Sequence, residues 1–513
     1  MSVGEGKGPQ EFRGLRAFLW PVHGHELKKL IPMLLIFFLI SFDYNVLRTL
    51  KDTLIVTQKG SGAEVIPFLK LWMMLPGAFV MTFLFTRLAN RYRLEKVFYI
   101  ILGLFLFYFL AFALVLYPWR ESLLLHGTAD WLEGVLPAGA KGFVLMVRYW
   151  IFSTFYVMSE LWSNIILSML FWGFANQITK LGEAKRFYGL FGVGANLSGV
   201  ASGLASMYLG SLSFHATVPY GSTAWEQSLL YLIGLIVAAG LLAIGLFRWM
   251  HKNIEDAEPL KVKQKKQLSV RGNFSYLFQS RYLMYIALIV ISYNLIIHLV
   301  EVVWKDHVKL LYPASGDYNF YMNKITAITG LCATLTSLFI SGNLIRHCGW
   351  TFTALLTPAI LFVTSLCFFS CIFAKESLSE LTLAFFGSTP LALAVFFGST
   401  QNVMSRAAKY TVFDSTKEMA FVPLGEECKI RGKAVIDGVC SRVGKSGGSV
   451  IHQFLLLTFS TVSASTPYIA FFLFASITLW ILATYKLGYK FNQLSENELI
   501  SESNNDPELA LAS

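Results

Sequence analysis

One constraint recurs along this chain: runs of about 20 mostly apolar residues, the length an α-helix needs to cross the hydrocarbon core of a bilayer. In lipid the backbone N–H and C=O groups find no water, so each run must satisfy them internally and be helical. The first half carries runs at 30–50, 65–86, 97–117, 142–175, 188–211 and 226–250. The second half carries runs at 279–303, 325–345, 350–373, 381–405, 433–460 and 464–488. The fourth is long enough to be kinked or to project from the membrane. Only 14% of the 513 residues are charged, against about 25% in ordinary soluble domains. The expectation is an all-α membrane protein with 12 transmembrane helices.

Lysine and arginine accumulate in cytoplasmic loops, and here they collect on one side. That side takes the N-terminus (Lys7, Arg13, Arg16, Lys28, Lys29), the loop after the second run (Arg87, Arg91, Arg93, Lys96) and the loop after the fourth (Lys180, Lys185, Arg186). It also takes KVKQKK, with Lys261, Lys263, Lys265 and Lys266, and the loop from Arg406 to Lys433. The loops after the fifth and eleventh runs carry neither residue. Both termini are therefore expected in the cytoplasm. The domains follow: 1–29 a cytoplasmic N-terminus, 30–250 a six-helix bundle, 251–278 a basic cytoplasmic linker and 279–490 a second six-helix bundle. Residues 491–513, with Glu496, Glu498, Glu502, Asp506 and Glu508 and no basic residue, read as a disordered acidic tail. No apolar h-region with a small-residue cleavage site precedes the first run, so neither a signal peptide nor a transit peptide is expected. KVKQKK reads as a positive-inside linker, and no nucleic-acid partner is expected. The 3–4 loop, with Trp119, Trp131 and Leu123 to Leu125, has the composition of a segment lying on the outer membrane surface.

The halves echo each other. Tyr44-Asn45 returns as Tyr293-Asn294 and Asp52 as Glu301, both 249 positions later, while Thr179-Lys180 returns as Thr416-Lys417 after 237. Six plus six helices with a cytoplasmic linker is the pattern of two pseudo-symmetric halves related by an axis along the membrane normal.

The charges inside the runs carry the functional signal. An ionised side chain at the bilayer centre costs roughly 2.5–3.5 kcal/mol on insertion scales, and such residues pair or face water. In SFDYNVLRTLKDTLIVTQK, residues 41–59, Tyr44, Arg48 and Lys51 stand at i, i+4 and i+7 and share a helix face. That face is tolerable if it meets water or an anion; the plainer reading of Lys51 is a snorkelling helix-end lysine. Glu160 lies deep in the fourth run, flanked by Tyr156 and Asn164 at i−4 and i+4. Glu301 closes the seventh run with Asn294, His298 and Lys305 nearby, although a Glu301–Lys305 pair at i, i+4 satisfies itself. Lys445, with Arg442 beside it, sits in DGVCSRVGKSGGSVIHQF, whose glycines read as loosening the helix and bringing backbone amides toward a solute.

GKS does not make a phosphate-binding P-loop. That motif needs four residues between its first glycine and GK, whereas five separate Gly438 from Gly444 and no strand pattern precedes them. Lys445 remains a plausible phosphate contact as a point charge. Gly199 and Gly203 form a GxxxG pair suited to helix packing. There is no HExxH and no acidic cluster suited to Mg²⁺, and the six cysteines show no CxxC and read as packing residues. No cofactor, no metal and no catalytic set are expected. The residues alone point to a transporter with charges facing a central cavity.

Four stretches, KDTLIVTQKGSGAEVIPFLKLW, LFWGFANQITKLGEAKRFYGLFGVGANLSG, YNLIIHLVEVVWKDHVKLLYP and RGKAVIDGVCSRVGKSGGSVIHQF, resemble the ATP:ADP antiporter (nucleotide transporter) family of obligate intracellular bacteria and plastids. They look most like its chlamydial members. They extend from the first run to the eleventh, so the resemblance covers nearly the whole membrane part. It implies a fold similar to the major facilitator superfamily, a place in a bacterial inner membrane, and import of host ATP in exchange for bacterial ADP. It also implies that Lys51 in KDTL, Glu160 in SELW, Glu301 in LVEV and Lys445 in GKSGG take part in transport. On that reading Lys51 and Lys445 hold the polyphosphate, with Arg48 and Arg442 assisting. Tyr156 stacks on adenine, and Glu160 and Glu301 contact ribose or adenine, or pair with the lysines when the site is empty. Asn164, Asn294 and His298 are accessory candidates. The expected partners are ATP, ADP and the bilayer, with the protein a monomer. A nucleotide:proton symporter is the alternative within the class; a lipid flippase or a nucleotide-using membrane enzyme are the alternatives outside it.

Overall fold

The computed structural model of the protein describes residues 22–505 apart from 180, 254–279, 340, 426–431 and 434. All regular structure among the described residues is helical. The long helices are α1 (Leu27–Val56), α2 (Val65–Arg91), α3 (Leu94–Leu116), α4 (Trp150–Asn176), α5 (Leu181–Gly210) and α6 (Ala224–Asn253). The second half adds α7 (Arg281–Leu311), α8 (Ser315–Phe339), α9 (Ser341–Phe373, broken at Gly349), α10 (Pro390–Ala408), α11 (Ser441–Phe459) and α12 (Val462–Asn505). Among the described residues, nine helical segments are long and apolar enough to cross a bilayer. Helices also stand at the other three expected places, but α8, α10 and α11 are less apolar because they carry groups such as Asn323, Gln401 and Lys445.

Several boundaries differ from expectation. The fourth run is divided at Tyr149 into Lys141–Arg148 and Trp150 onward, the kink its length implied. The eighth helix begins at Ser315, ten residues before the apolar run, because polar residues such as Asn319 and Asn323 lie against protein rather than lipid. The tenth run does not form one helix from 381: Gly387 takes a left-handed φ of 61° and ends the short helix Lys375–Phe386. Thr389 then caps a new helix with Pro390 in its first turn. The tail expected to be disordered from 491 continues α12 to Asn505, since neither glycine nor proline interrupts 489–505. The linker beyond Asn253 and residues 1–21 and 506–513 lie outside the described residues.

Aromatic side chains fill the first half's interior. Phe109 meets Phe155 edge-on and Trp162 at a tilt, and Phe98 stacks on Phe247 with centroids 4.0 Å apart. Outward side chains such as Phe79, Phe107 and Phe471 are exposed, as a lipid-facing surface requires. The first and second halves of the chain meet along α5 and α8, where the GxxxG pair has the packing role expected of it. A Cβ on Gly203 would lie 2.7 Å from the Ala327 Cβ, and one on Gly330 2.6 Å from the Asn196 carbonyl oxygen. Among the described residues five π-helical turns interrupt the bundle, including Leu69–Met74 in α2 and Ser163–Phe171 in α4. Such turns are rare and recur at functional sites.

Candidate functional site

The last turns of α1 and α7 run to the same face of the bundle, called here the far face. Between those turns runs an unbroken chain of ion pairs. Glu160 on α4 accepts from Lys51 on α1 at 3.0 Å, and Lys51 reaches Asp52 at 2.9 Å. Lys305 on α7 donates both to Asp52 at 2.7 Å and to Glu301 at 2.7 Å. Glu301 also accepts from Lys70 on α2 at 2.8 Å, and the Lys70 ammonium lies 2.9 Å from the His298 Nδ1. Three ammonium groups thus face three carboxylates. Lys51, Asp52 and Lys305 are almost wholly buried, at 1%, 2% and 3% side-chain exposure, while Glu160, Glu301, Lys70 and His298 are partly open at 13–20%. Buried charges persist only when paired and hydrogen-bonded, and each here has such partners. The Lys51 ammonium additionally lies 3.9 Å from the centroid of the buried Tyr156 ring, a cation–π contact in a desolvated setting.

Two of these pairs, Lys305–Asp52 and Lys70–Glu301, join the first half of the chain to the second. Neutral hydrogen bonds reinforce them across the same seam. Thr49 donates to Asn323 at 2.8 Å, Thr57 and Ser315 share a bond of 2.7 Å, and Gln453 on α11 bonds the Pro67 carbonyl at 2.8 Å. The two positions matched by the 249-residue echo, Asp52 and Glu301, are the two carboxylates gripping Lys305.

The residues singled out in the sequence divide. Lys51, Glu160, Glu301, His298 and Tyr156 belong to this assembly. The expected Glu301–Lys305 pair exists, but Lys305 reaches across to Asp52 as well, so it is not a self-satisfied helix end. Lys445 and Arg442 lie apart from the chain, exposed, and neither forms an ion pair with a described residue. The charged groups that act most on Lys445 include the cations Lys409, Lys70 and Arg442 and the carboxylate of Glu160. Arg48 is half-buried and has no ion pair to a described residue, and Asn164 is exposed. Asn294 bonds the Val290 carbonyl at 2.8 Å within its own helix.

Gly438 lies in the π turn Ile436–Cys440, but Gly444, Gly447 and Gly448 do not loosen the helix: α11 is continuous, and a Cβ on Gly444 would meet the Ile291 carbonyl oxygen of α7 at 2.6 Å. They let α11 lie against α7 instead. Lys70 was missed. Its only sequence signal was a charge one turn into an apolar run, and the π turn Leu69–Met74 that holds it is not written in residue types. Asp43, also not selected, is fully buried in α1, and neither carboxylate oxygen has a hydrogen-bond partner among the described residues. No group of three or more metal-ligating side chains is found among them.

Charged groups at the seam of an all-helical membrane bundle define a polytopic protein built like a secondary transporter. A crystal structure of a bacterial homologue of the iron transporter ferroportin in an inward-facing state shares this fold, with a TM-score of 0.54, 15% identity, and coverage of 90% of this chain and 98% of that one. The profile of the TLC ATP/ADP transporter family matches residues 6–491, and the chain belongs to that family. Among its relatives, "ADP,ATP carrier protein 1" of Chlamydia muridarum is 44% identical over 94% of this chain and 92% of its own length. "ADP,ATP carrier protein 2, chloroplastic" of Arabidopsis thaliana is 40% identical over 93% of this chain and 77% of its own. The chlamydial likeness read from the four motifs therefore holds, and membership makes the chain a transporter rather than an enzyme.

Proposed function

We propose that the protein exchanges ATP for ADP across a bacterial inner membrane, importing ATP and returning ADP, by rocking two six-helix halves about a central site. In this reading twelve helices span the membrane, both termini are cytoplasmic, the far face is the outer one, and the protein works as a monomer. The observation that carries the reading is the ion chain, which ties the halves together at the far face and leaves Lys445 unpaired. A polyphosphate arriving from the cytoplasmic side meets Lys445 and Arg442 first and then competes with Glu160 and Asp52 for Lys51. Each carboxylate it displaces loses a partner in the same ion chain that holds the inter-half pairs Lys305–Asp52 and Lys70–Glu301. The nucleotide thereby binds the rearranging protein better than the resting one, the differential affinity that any ligand-driven conformational change requires. An empty site re-forms the ion pairs and stays shut, which makes exchange obligatory. Arg48 lies one turn from Lys51 and assists the phosphates. Tyr156 is wholly covered by protein, so it supports Lys51 through its ring in this conformation, and stacking on adenine would need its exposure.

The test is uptake of labelled ATP into proteoliposomes that are empty or loaded with ADP. Uptake only into loaded vesicles, lost in Lys51→Ala and Lys445→Ala, is expected. Equal uptake into empty vesicles, rising with an inward proton gradient, would mark a nucleotide:proton symporter instead. No uptake in either case would refute nucleotide transport.

A further inference from the structure

Beyond the last turn of α1, at the far face, the connecting segments enclose a cavity of about 400 Å³. That is within the size range of small-ligand sites, roughly 300–1,000 Å³. Its walls are basic. Lys59, Lys141, Arg148 and His126 line it, against the single carboxylate of Glu133. The frame is fixed: the Tyr149 hydroxyl donates to the Lys59 carbonyl at 2.6 Å, and the Leu125 N–H to the Arg148 carbonyl at 3.4 Å. The cations are only loosely satisfied. Arg148 pairs with Asp130 at 2.7 Å and Glu133 at 2.9 Å, but those carboxylates are 65% and 64% exposed. Lys141 is 49% exposed and 3.3 Å from Glu64. Lys59 is exposed and has no ion pair to a described residue. Exposed pairs contribute little and exchange readily with solvent anions. A compact ligand with several clustered negative oxygens therefore satisfies these groups better than their present partners do, with Arg148 offering a fork that suits phosphate oxygens.

We propose that this cavity is a docking site for oligophosphate, which receives the phosphate end of the nucleotide before the seam opens. This rests on the exchange reading, including its assignment of the far face to the outside. Lys59 follows Lys51 by eight residues and stands beyond the end of α1 at Val56, so the cavity lies past the closed ion chain rather than within it. A basic concavity at the mouth of a pathway raises the local concentration of an anion and its rate of entry, and the effect declines with ionic strength.

The first experiment uses the purified full-length protein and inorganic tripolyphosphate as the probe. Lysines are acylated with a membrane-impermeant reagent and quantified by mass spectrometry. Tripolyphosphate is expected to slow acylation of Lys59 and Lys141 by about threefold or more at low salt, with no effect on Lys375, which is exposed on the same face. Orthophosphate in place of tripolyphosphate should protect weakly; equal protection would reassign the cavity to single phosphates and overturn the oligophosphate proposal. Unchanged acylation of Lys59 and Lys141 would overturn it outright. In proteoliposomes, Lys59→Gln is expected to raise the KM for ATP supplied at the far face, leaving the maximal rate and the KM from the opposite side unchanged. An unaltered far-face KM at low salt would also overturn it. Protection without nucleotide exchange by the wild type would sink the transport reading and leave the docking site standing. Exchange without protection would do the reverse.

Discussion

Replacing Asp52 by asparagine removes the carboxylate that stands between Lys51 and Lys305 and turns a neutral buried chain into a cationic one. The side chain accepts from Lys51 at 2.9 Å and from Lys305 at 2.7 Å and is 2% exposed. Breaking a buried ion pair by deleting one partner costs 3–5 kcal/mol, roughly. Lys51 keeps Glu160 and Lys305 keeps Glu301, so the lower end applies: about 3 kcal/mol against the arrangement closed at the far face. At about 1.36 kcal/mol per factor of ten, that shifts the balance between closed and open by ~150-fold. Thr57, whose hydroxyl bonds Ser315 at 2.7 Å across the seam, reports the change. With the six native cysteines replaced by alanine, Thr57→Cys should react slowly with an impermeant thiol reagent from the far face, and much faster once Asp52→Asn is added. Exchange should fall, because a carrier held open on one side completes few cycles. Adding Lys305→Gln removes the excess buried cation and should return the labelling rate toward its starting value. Unchanged labelling in Asp52→Asn, or identical behaviour of the single and double replacements, would refute the assignment of this pair as the tie that closes the far face.

Other consequences are as direct. Lys445→Gln should abolish exchange while leaving the thermal unfolding temperature unchanged, since the ammonium is exposed and unpaired; a large fall in that temperature would show a structural role instead. Tyr156→Phe should be nearly silent in both stability and exchange, because the buried hydroxyl has no hydrogen-bond partner among the described residues and the ring under Lys51 is kept. Tyr156→Leu removes the ring and should cut exchange by roughly tenfold, in line with a cation–π contact of 1–2 kcal/mol. Gly330→Val should lower the unfolding temperature by several degrees, as overpacking costs about 1–3 kcal/mol, whereas Gly245→Ala, with open space around it, should not.

Fold and site were legible to different depths. Apolar runs announce helices because lipid permits little else, and the charges at 51, 160 and 301 stood out against that background at an energetic cost that asked for partners. What a single run does not disclose is who those partners are. Lys305 read as the mate of Glu301 because i, i+4 is the only geometry visible along one helix; its second bond, to Asp52, is a tertiary fact. Lys70 was not singled out at all, and it is a π turn that brings it to Glu301. The glycines around Lys445 were read as looseness, whereas the neighbouring backbone of α7 shows that they make room. The tenth helix was misplaced because Gly387 and Pro390 lie inside apolar sequence, where their chain-breaking effect was outweighed by hydropathy.

The neutrality of the ion chain also bears on how the membrane potential acts on the protein. Lys51, Lys70 and Lys305 cancel Asp52, Glu160 and Glu301, so on the exchange reading these groups carry no net charge of their own through the field when the halves rock. The electrical work of a cycle then falls to the cargo, and ATP and ADP differ by one negative charge when fully ionised. One charge crossing the membrane corresponds to about 2.3 kcal/mol per 100 mV. Neutralising a single member of the chain would therefore alter the voltage dependence of the cycle as well as its rate, in opposite senses for a lost carboxylate and a lost lysine.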